Sequence, residues 1–134
     1  MMIISRFRIF TCVMAALLMT ACAPTMVRNV TDAPVVSNKA PLSLDDVRIA
    51  ITRAGTGLGW VMIEEEPGLI KGTLRLRTHV AIVDVTYDTS TYSIQYVDST
   101  NLNYNESKGT IHKNYNGWIQ NLDTAIQREL AALM

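Results

Sequence analysis

Short segments between Trp60 and Val97 alternate apolar and polar residues with a period of two, and this pattern constrains the fold most. Successive side chains of a strand point to opposite faces, so the alternation predicts half-buried strands. Reversals are expected at Pro67-Gly68, near Thr78-His79 and across residues 88–91. One parity gives the predicted buried face of a four-stranded antiparallel meander: Val61, Ile63, Ile70, Leu74, Leu76, Ala81, Val83, Val85, Tyr87, Tyr92, Ile94 and Tyr96.

The other parity gives the predicted outward face of the sheet. Its expected cross-strand pairs include Met62 with Thr73 and Trp60 with Arg75. Glu64 is expected opposite Lys71 on the same outward face. On the buried face, the expected pairs are Leu74 with Val83, Val85 with Ile94, and Tyr87 with Tyr92. An outward face carrying Trp60, Met62, Ile82 and Val97 is more apolar than solvent requires. Trp60 over Arg75 is either a surface cation–π pair or part of a docking surface.

Two amphipathic helices flank the strands. Ser43 is a good N-cap residue, and Asp45 and Asp46 place negative charge in the first turn, where the helix dipole favours it. The first apolar stripe is Leu44, Val47, Ala50, Ile51 and Ala54, and the second, over residues 116–133, is Ile119, Leu122, Ile126, Leu130 and Leu133. These patterns predict a two-layer α+β sandwich, with both helices on one face of the sheet.

The first 21 residues have the features of a secretory signal peptide. Arg6 and Arg8 precede an apolar run over residues 9–19. This run matches the ~7–15 residues of a signal-peptide core and is shorter than the ~20 that a bilayer-spanning helix needs. Thr20-Ala21-Cys22 follows.

Cysteine and charge composition limit the possible functions. The chain has two cysteines, Cys12 and Cys22. Cys12 would leave with the signal peptide, so no disulfide is expected. Removing residues 1–21 takes away two of the twelve basic residues and none of the twelve acids, which leaves a mildly acidic mature chain. No basic stripe is present, and nucleic acid is not expected as a partner.

Residues 22–42 form the segment between the signal peptide and the predicted domain. They contain three of the four prolines and show no lasting period. We expect a lipidated N-terminus followed by a flexible tether, with the α+β domain over residues 43–134.

The stretch from Ile111 to Asp123, IHKNYNGWIQNLD, is unusually rich in side chains that could form a site. Asn114 or Asn116 is suited to cap the last helix, which makes a helix start the simpler interpretation. The alternative is a surface recognition loop. The preceding polar segment, residues 98–109, is either a long loop or a small hairpin in which Leu102 and Tyr104 face Ile111.

No catalytic constellation is visible in the sequence. Only two histidines occur, His79 and His112, and the chain lacks the HExxH, CxxC and GxSxG patterns. The glycine-rich run over residues 55–59 follows a helix, which is the reverse of the order in a phosphate-binding loop. We therefore expect no enzyme activity, no metal and no cofactor.

Met19-Thr20-Ala21-Cys22 resembles the lipobox of bacterial lipoproteins, with Met19 where leucine is usual. The resemblance implies cleavage before Cys22 and acylation of its sulfur, so that the acyl chains hold the protein in a membrane. Ala23 stands where an aspartate often retains lipoproteins in the inner membrane. The resemblance therefore implies the outer membrane, with the domain facing the periplasm.

From Trp60 to its end, the chain resembles a group of small bacterial lipoproteins of uncharacterised function. The motifs that carry this likeness are Pro67-Gly68, Arg77-x-His79, Tyr92-x-Ile94-x-Tyr96, Asp98-Ser99, Asn101-Leu102 and the stretch from Ile111 to Leu122. The resemblance implies an anchored periplasmic domain and supplies no catalytic residue.

Two functions remain open. The first is a non-enzymatic module that binds another envelope protein. The second is a binder of a small ligand or peptidoglycan fragment. The candidate partner or ligand surface comprises Trp60, Arg75, Arg77, His79, Tyr104, His112 and Tyr115.

Overall fold

A computed structural model describes residues 23–134, so the predicted signal peptide and Cys22 lie outside the described residues. The elements follow in the order β1 (Thr25–Met26), β2 (Val30–Pro34), α1 (Leu44–Gly57), β3 (Val61–Glu66), β4 (Leu69–Leu76), β5 (His79–Tyr87), β6 (Thr91–Thr100), β7 (Thr110–Ile111) and α2 (Lys113–Ala131). The fold is α+β, as the sequence predicts. Neither of its helices is long and apolar enough to cross a bilayer.

The main sheet has five antiparallel strands in the order β2-β6-β5-β4-β3. The predicted pairing of Tyr87 with Tyr92 and of Val85 with Ile94 is confirmed. Leu74 lies opposite Ala81 and not opposite Val83, a shift of two residues that leaves the same side chains facing inward. The predicted meander is therefore present over β3 to β6, with β2 added beside β6.

Strand β3 pairs one residue away from the predicted register. Met62 lies opposite Gly72, and this shift turns the strand over, so Trp60 is buried at 3% exposure. Val61 and Ile63, predicted to be buried, are 56% and 57% exposed. Gly72 explains the choice, because a Cβ there would approach Trp60 Cε3 and Met62 Sδ to 3.3 Å. Leu76, at the end of β4, is also exposed and not buried as predicted.

The predicted flexible tether is wrong for the residues that form β1 and β2. Strand β1 pairs with β7, and β2 forms an edge of the main sheet against β6. Val30 joins the core opposite Ile94. A bulge, Asp32 at φ +49° and Pro34 interrupt the outer side of β2, as is common on protected sheet edges.

Both helices bury most of their apolar stripes in the core that the sheet's inner face forms, while Leu44 at the start of α1 is exposed. Helix α1 begins as predicted: Ser43 Oγ accepts the Asp46 N–H at 3.0 Å, and the Asp46 carboxylate accepts the Ser43 N–H at 2.9 Å. Helix α2 begins at Lys113, earlier than predicted. Its N-cap is His112, whose Nδ1 accepts the Asn114 N–H at 3.1 Å, so the predicted asparagine caps are wrong.

Candidate functional site at one end of the sheet

Several polar segments meet at one end of the molecule, which we call the loop end: β1, the β4–β5 turn at residues 77–78, residues 101–109, β7 and the start of α2. His79 Nδ1 donates to the Asn101 carbonyl at 2.8 Å, and Asn101 Nδ2 donates to the Thr78 carbonyl at 2.9 Å. The His112 N–H donates to the Leu102 carbonyl at 2.8 Å. These bonds fix the long polar loop to the sheet and to the helix.

The loop end contains a group of aromatic rings. Tyr96 stacks on Tyr104 with ring centroids 4.3 Å apart and meets the edge of Tyr115 at 5.5 Å. The ring of His79 lies 6.4 Å from that of Trp118. Burial raises the pKa of both Tyr96 and Tyr115, so these phenols stay protonated at neutral pH.

Tyr115 is fully buried, and within the described residues its hydroxyl has no hydrogen-bond partner. A buried hydroxyl without a partner carries a desolvation cost, so this position favours a well-packed ring over surface recognition.

Beside these rings lies an open cleft of about 260 Å³. It is lined by Ala23, Pro24, Asn103, Asn105, Lys108, Thr110 and His112. Arg77, Asn101 and Asn103 adopt positive φ values at this end. Such conformations cost less for asparagine than for most residues, and they hold the cleft rim in a defined shape.

The side chain of Asn116 holds the N-terminal segment against the loop end. Its Nδ2 donates to Thr25 Oγ1 at 3.0 Å and to the Met26 carbonyl at 2.7 Å, while its Oδ1 accepts the Arg28 N–H at 2.8 Å. Together with the β1–β7 pairing, these three bonds satisfy the backbone of an otherwise short and exposed strand.

The structure brings some of the predicted site residues together and separates others. His79, Tyr104 and His112 lie at the loop end, with exposed Arg77 in the adjoining turn. Trp60 and Tyr115 are buried and do not belong to a surface. Because Trp60 packs on the inner side of Gly72, the predicted cation–π pair with Arg75 is wrong.

No family model, curated protein or solved structure matches this chain.

Across residues 23–134, no three histidine, cysteine, aspartate or glutamate side chains come together as a metal site. The loop end offers backbone carbonyls, side-chain amides and Lys108, which suit hydrogen bonding to a polar ligand or surface.

The outward face of the sheet is the second exposed region. Val61, Ile63, Ile82 and Val97 contribute apolar surface there, with Val61 and Ile63 on the edge strand β3. At its centre Asp84 lies between Lys71 and Gln95 on the neighbouring strands, and its Oδ1 is buried without a hydrogen-bond partner among the described residues. The apolar side chains around the Asp84 carboxylate can contact an apolar group of a partner, and the carboxylate can accept a hydrogen bond from a donor of that partner.

Asn116 and Trp118 also lie at the loop end, although the sequence patterns do not assign them to the candidate surface. For Asn116 the only signal was its position within a cluster of asparagines, which equally suits a helix cap. Its actual partners lie about ninety residues earlier in the chain, a separation that local patterns do not report.

Proposed function

We propose that the chain is a lipid-anchored cell-envelope lipoprotein and a non-enzymatic interaction module for another envelope component. The observation that carries the proposal is the sequence of residues 1–22, in which Arg6, Arg8 and an apolar run precede Met19-Thr20-Ala21-Cys22. Acyl chains on Cys22 would hold the protein in the membrane, since each buried CH₂ contributes roughly 0.8 kcal/mol. Ala23 after the cysteine supports the outer membrane as the destination.

The outward face of the sheet is the proposed docking surface for the partner. Val61 and Ile63 are exposed aliphatic side chains on a strand, and a monomer gains no stability from leaving them in water. A partner with an apolar patch and a donor for Asp84 would satisfy both features.

The alternative is a periplasmic protein that binds a small ligand or a peptidoglycan fragment. The cleft beside Lys108 and His112 supports it, because amides and a lysine suit an anionic or hydroxyl-rich ligand. The cleft is open and holds few aromatic side chains, which makes this the weaker candidate.

The anchor is tested by Cys22→Ser. We expect the variant to appear in the soluble fraction or to stay uncleaved, whereas the parent chain stays with the membranes. Mass spectrometry of the parent should show acyl groups on Cys22. An unmodified Cys22 at the start of a processed, membrane-bound chain would reject the proposed anchor.

The docking surface is tested by photocrosslinking in whole cells. A photoreactive residue in place of Ile63 should trap a partner, and the same residue in place of Thr89, at an exposed turn outside this surface, serves as the control. A partner trapped from Asn103 and absent from Ile63 would favour the cleft instead. Equal trapping from Ile63 and Thr89 would contradict a docking surface on the sheet.

A further inference from the structure

We infer that the loop end lies directly against the lipid headgroups of the anchoring membrane, which leaves the opposite end of the sheet pointing into the aqueous compartment. This inference rests on the proposed acylation of Cys22. Two independent observations support it: the short link between Cys22 and the folded domain, and the distribution of charge between the two ends.

The link between the acylated residue and the domain has almost no slack. Thr25 is already paired with Ile111, and Asn116 bonds to Thr25, Met26 and Arg28. Only Ala23 and Pro24 separate Cys22 from Thr25, so the chain can span no more than about 10 Å between them. An acyl-bearing Cys22 at the membrane surface therefore keeps the loop end within that distance of the headgroups.

Charge is unequally distributed between the two ends. The loop end carries three basic residues, Arg77, Lys108 and Lys113, and one acid, Glu106. Arg28 adds a fourth positive charge beside it, because its N–H donates to Asn116. Arg75 on β4 and Asp98 on β6 lie slightly further along the sheet, and their opposite charges cancel in the net charge of this region.

The opposite end is formed by the β3–β4 and β5–β6 turns and the start of α1. It carries seven acids, Asp32, Asp45, Asp46, Glu64, Glu65, Glu66 and Asp88, against Lys39, Arg48 and Lys71. Anionic headgroups attract the basic end and repel the acidic one, which favours the orientation that the short link also imposes.

The exposed side chains around the link suit a membrane surface. Met26 is 68% exposed and lies over Gly109, and Tyr104 is 40% exposed while its ring stacks on Tyr96. A flexible apolar side chain and a tyrosine with a polar tip match the region between headgroups and acyl chains. Since the strands run between the two ends, the sheet would stand upright and its outward face would remain open to a partner.

The test uses the acylated full-length mature chain in vesicles of phosphatidylethanolamine and phosphatidylglycerol. With Cys22 acylated, an introduced cysteine is the single free thiol. Nitroxide labels are placed at Ser107→Cys on the loop end and at Thr89→Cys on the opposite end, both exposed positions. We expect a water-soluble nickel chelate to collide with the Ser107 label at least about tenfold less often than with the Thr89 label.

Charge variants test whether contact with anionic lipid causes the shielding of the label at Ser107. Arg28→Gln, Lys108→Gln and Lys113→Gln together should lower the ratio of shielded to open molecules by about a hundredfold, since each basic residue near an anionic surface contributes about fivefold. Lys39→Gln, Arg48→Gln and Lys71→Gln remove the same charge from the opposite end and should leave the shielding unchanged.

Three results would overturn the inference. Equal access of the chelate to both labels, on a chain shown by mass spectrometry to be acylated and bound, rejects the orientation while the anchor stands. Shielding of the Ser107 label in native envelopes but not in lipid vesicles assigns the loop end to a protein partner. An unmodified Cys22 removes the anchor and the orientation together, and the same mass spectrum identifies that case.

Discussion

Tyr92 and Asp123 form a buried polar contact between the sheet and α2. Tyr92 Oη donates to Asp123 Oδ1 at 2.5 Å, and Gln127 Nε2 donates to the same oxygen at 3.3 Å. Burial, reinforced by the bond to Asp123, raises the pKa of Tyr92 above its ordinary value. The phenol therefore remains a donor at all physiological pH values, and the buried carboxylate depends on it.

Tyr92→Phe should lower the free energy of unfolding by about 2 kcal/mol, because it leaves a buried carboxylate with one long hydrogen bond. Urea denaturation at neutral pH measures the change. Tyr115→Phe is the matched control: it removes a buried hydroxyl that has no hydrogen-bond partner among the described residues, and it should not lower the free energy of unfolding. Equal losses for the two variants would contradict a special role for the Asp123 contact.

Asp46 should make stability depend on pH in the acid range. The Ser43 N–H, the Lys39 ammonium and the Ser43 hydroxyl lower the pKa of Asp46 from 3.8 to about 2. Between these values the unfolded chain binds more protons than the folded one, so stability rises with pH through this window and is lost as pH falls towards about 2.

Asp46→Asn should reduce this slope, measured as the urea midpoint at a series of pH values from 2 to 5. Asp45→Asn removes the same charge from the same turn without touching the capping box, and serves as the control. The same slope in Asp46→Asn and in the parent chain would show that the capping box does not supply the effect.

At the scale of elements, the sequence predicts a strand well where its alternation is unambiguous. Leu74, Val85 and Ile94 lie on the buried face as predicted, because each has a polar residue on both sides in the sequence.

Elsewhere the local pattern carries too little information. The run from Trp60 to Ile63 is apolar throughout, so both registers of β3 look equally good, and the choice depends on space above Gly72. The predicted start of α2 is too late, because histidine is an uncommon N-cap residue and Asn114 and Asn116, which are better N-cap residues, follow it. Tyr115 continues the stripe of Ile119 and Leu122 by one turn, a signal that the sequence did contain.

Gly72→Leu should destabilise the protein by about 1–3 kcal/mol, since the new side chain would enter the space occupied by Trp60 and Met62. Thr73→Leu, the next residue on the same strand, points to the outward face and should stay within about 0.5 kcal/mol of the parent. Chemical denaturation of both variants checks whether Trp60 and Met62 pack on Gly72, as the observed register of β3 requires. A loss for Gly72→Leu no larger than that for Thr73→Leu would contradict this packing.

At the scale of the whole molecule, the N-terminal strands show where reading the sequence locally stops being sufficient. Residues 25–34 contain no period because β1 is two residues long and β2 is bulged. Their order comes from partners far along the chain, Ile94 and Asn116 among them, and from the core position of Val30. The loop end depends on such long-range contacts, and its composition could be predicted only in part.

A chain that begins at Ser37 should be less stable than one that begins at Ala23 by about 3 kcal/mol or more. It loses the burial of Val30, worth about 1.5–3 kcal/mol, and the partly buried Val27, Ala33 and Val35 that pack on the core. Urea denaturation and hydrogen exchange of the β6 amides measure the effect. Equal stability of the two chains would restore the flexible tether that the sequence suggests.

The free edge of the sheet is β3, whose last three residues are Glu64, Glu65 and Glu66. If two copies paired along this edge, their glutamates would be crowded into one short ribbon, and carboxylates at that spacing repel each other. The other edge is closed by the bulge and Pro34 of β2. The two edges of the sheet therefore disfavour edge-to-edge pairing between copies of the chain, even where many copies lie close together.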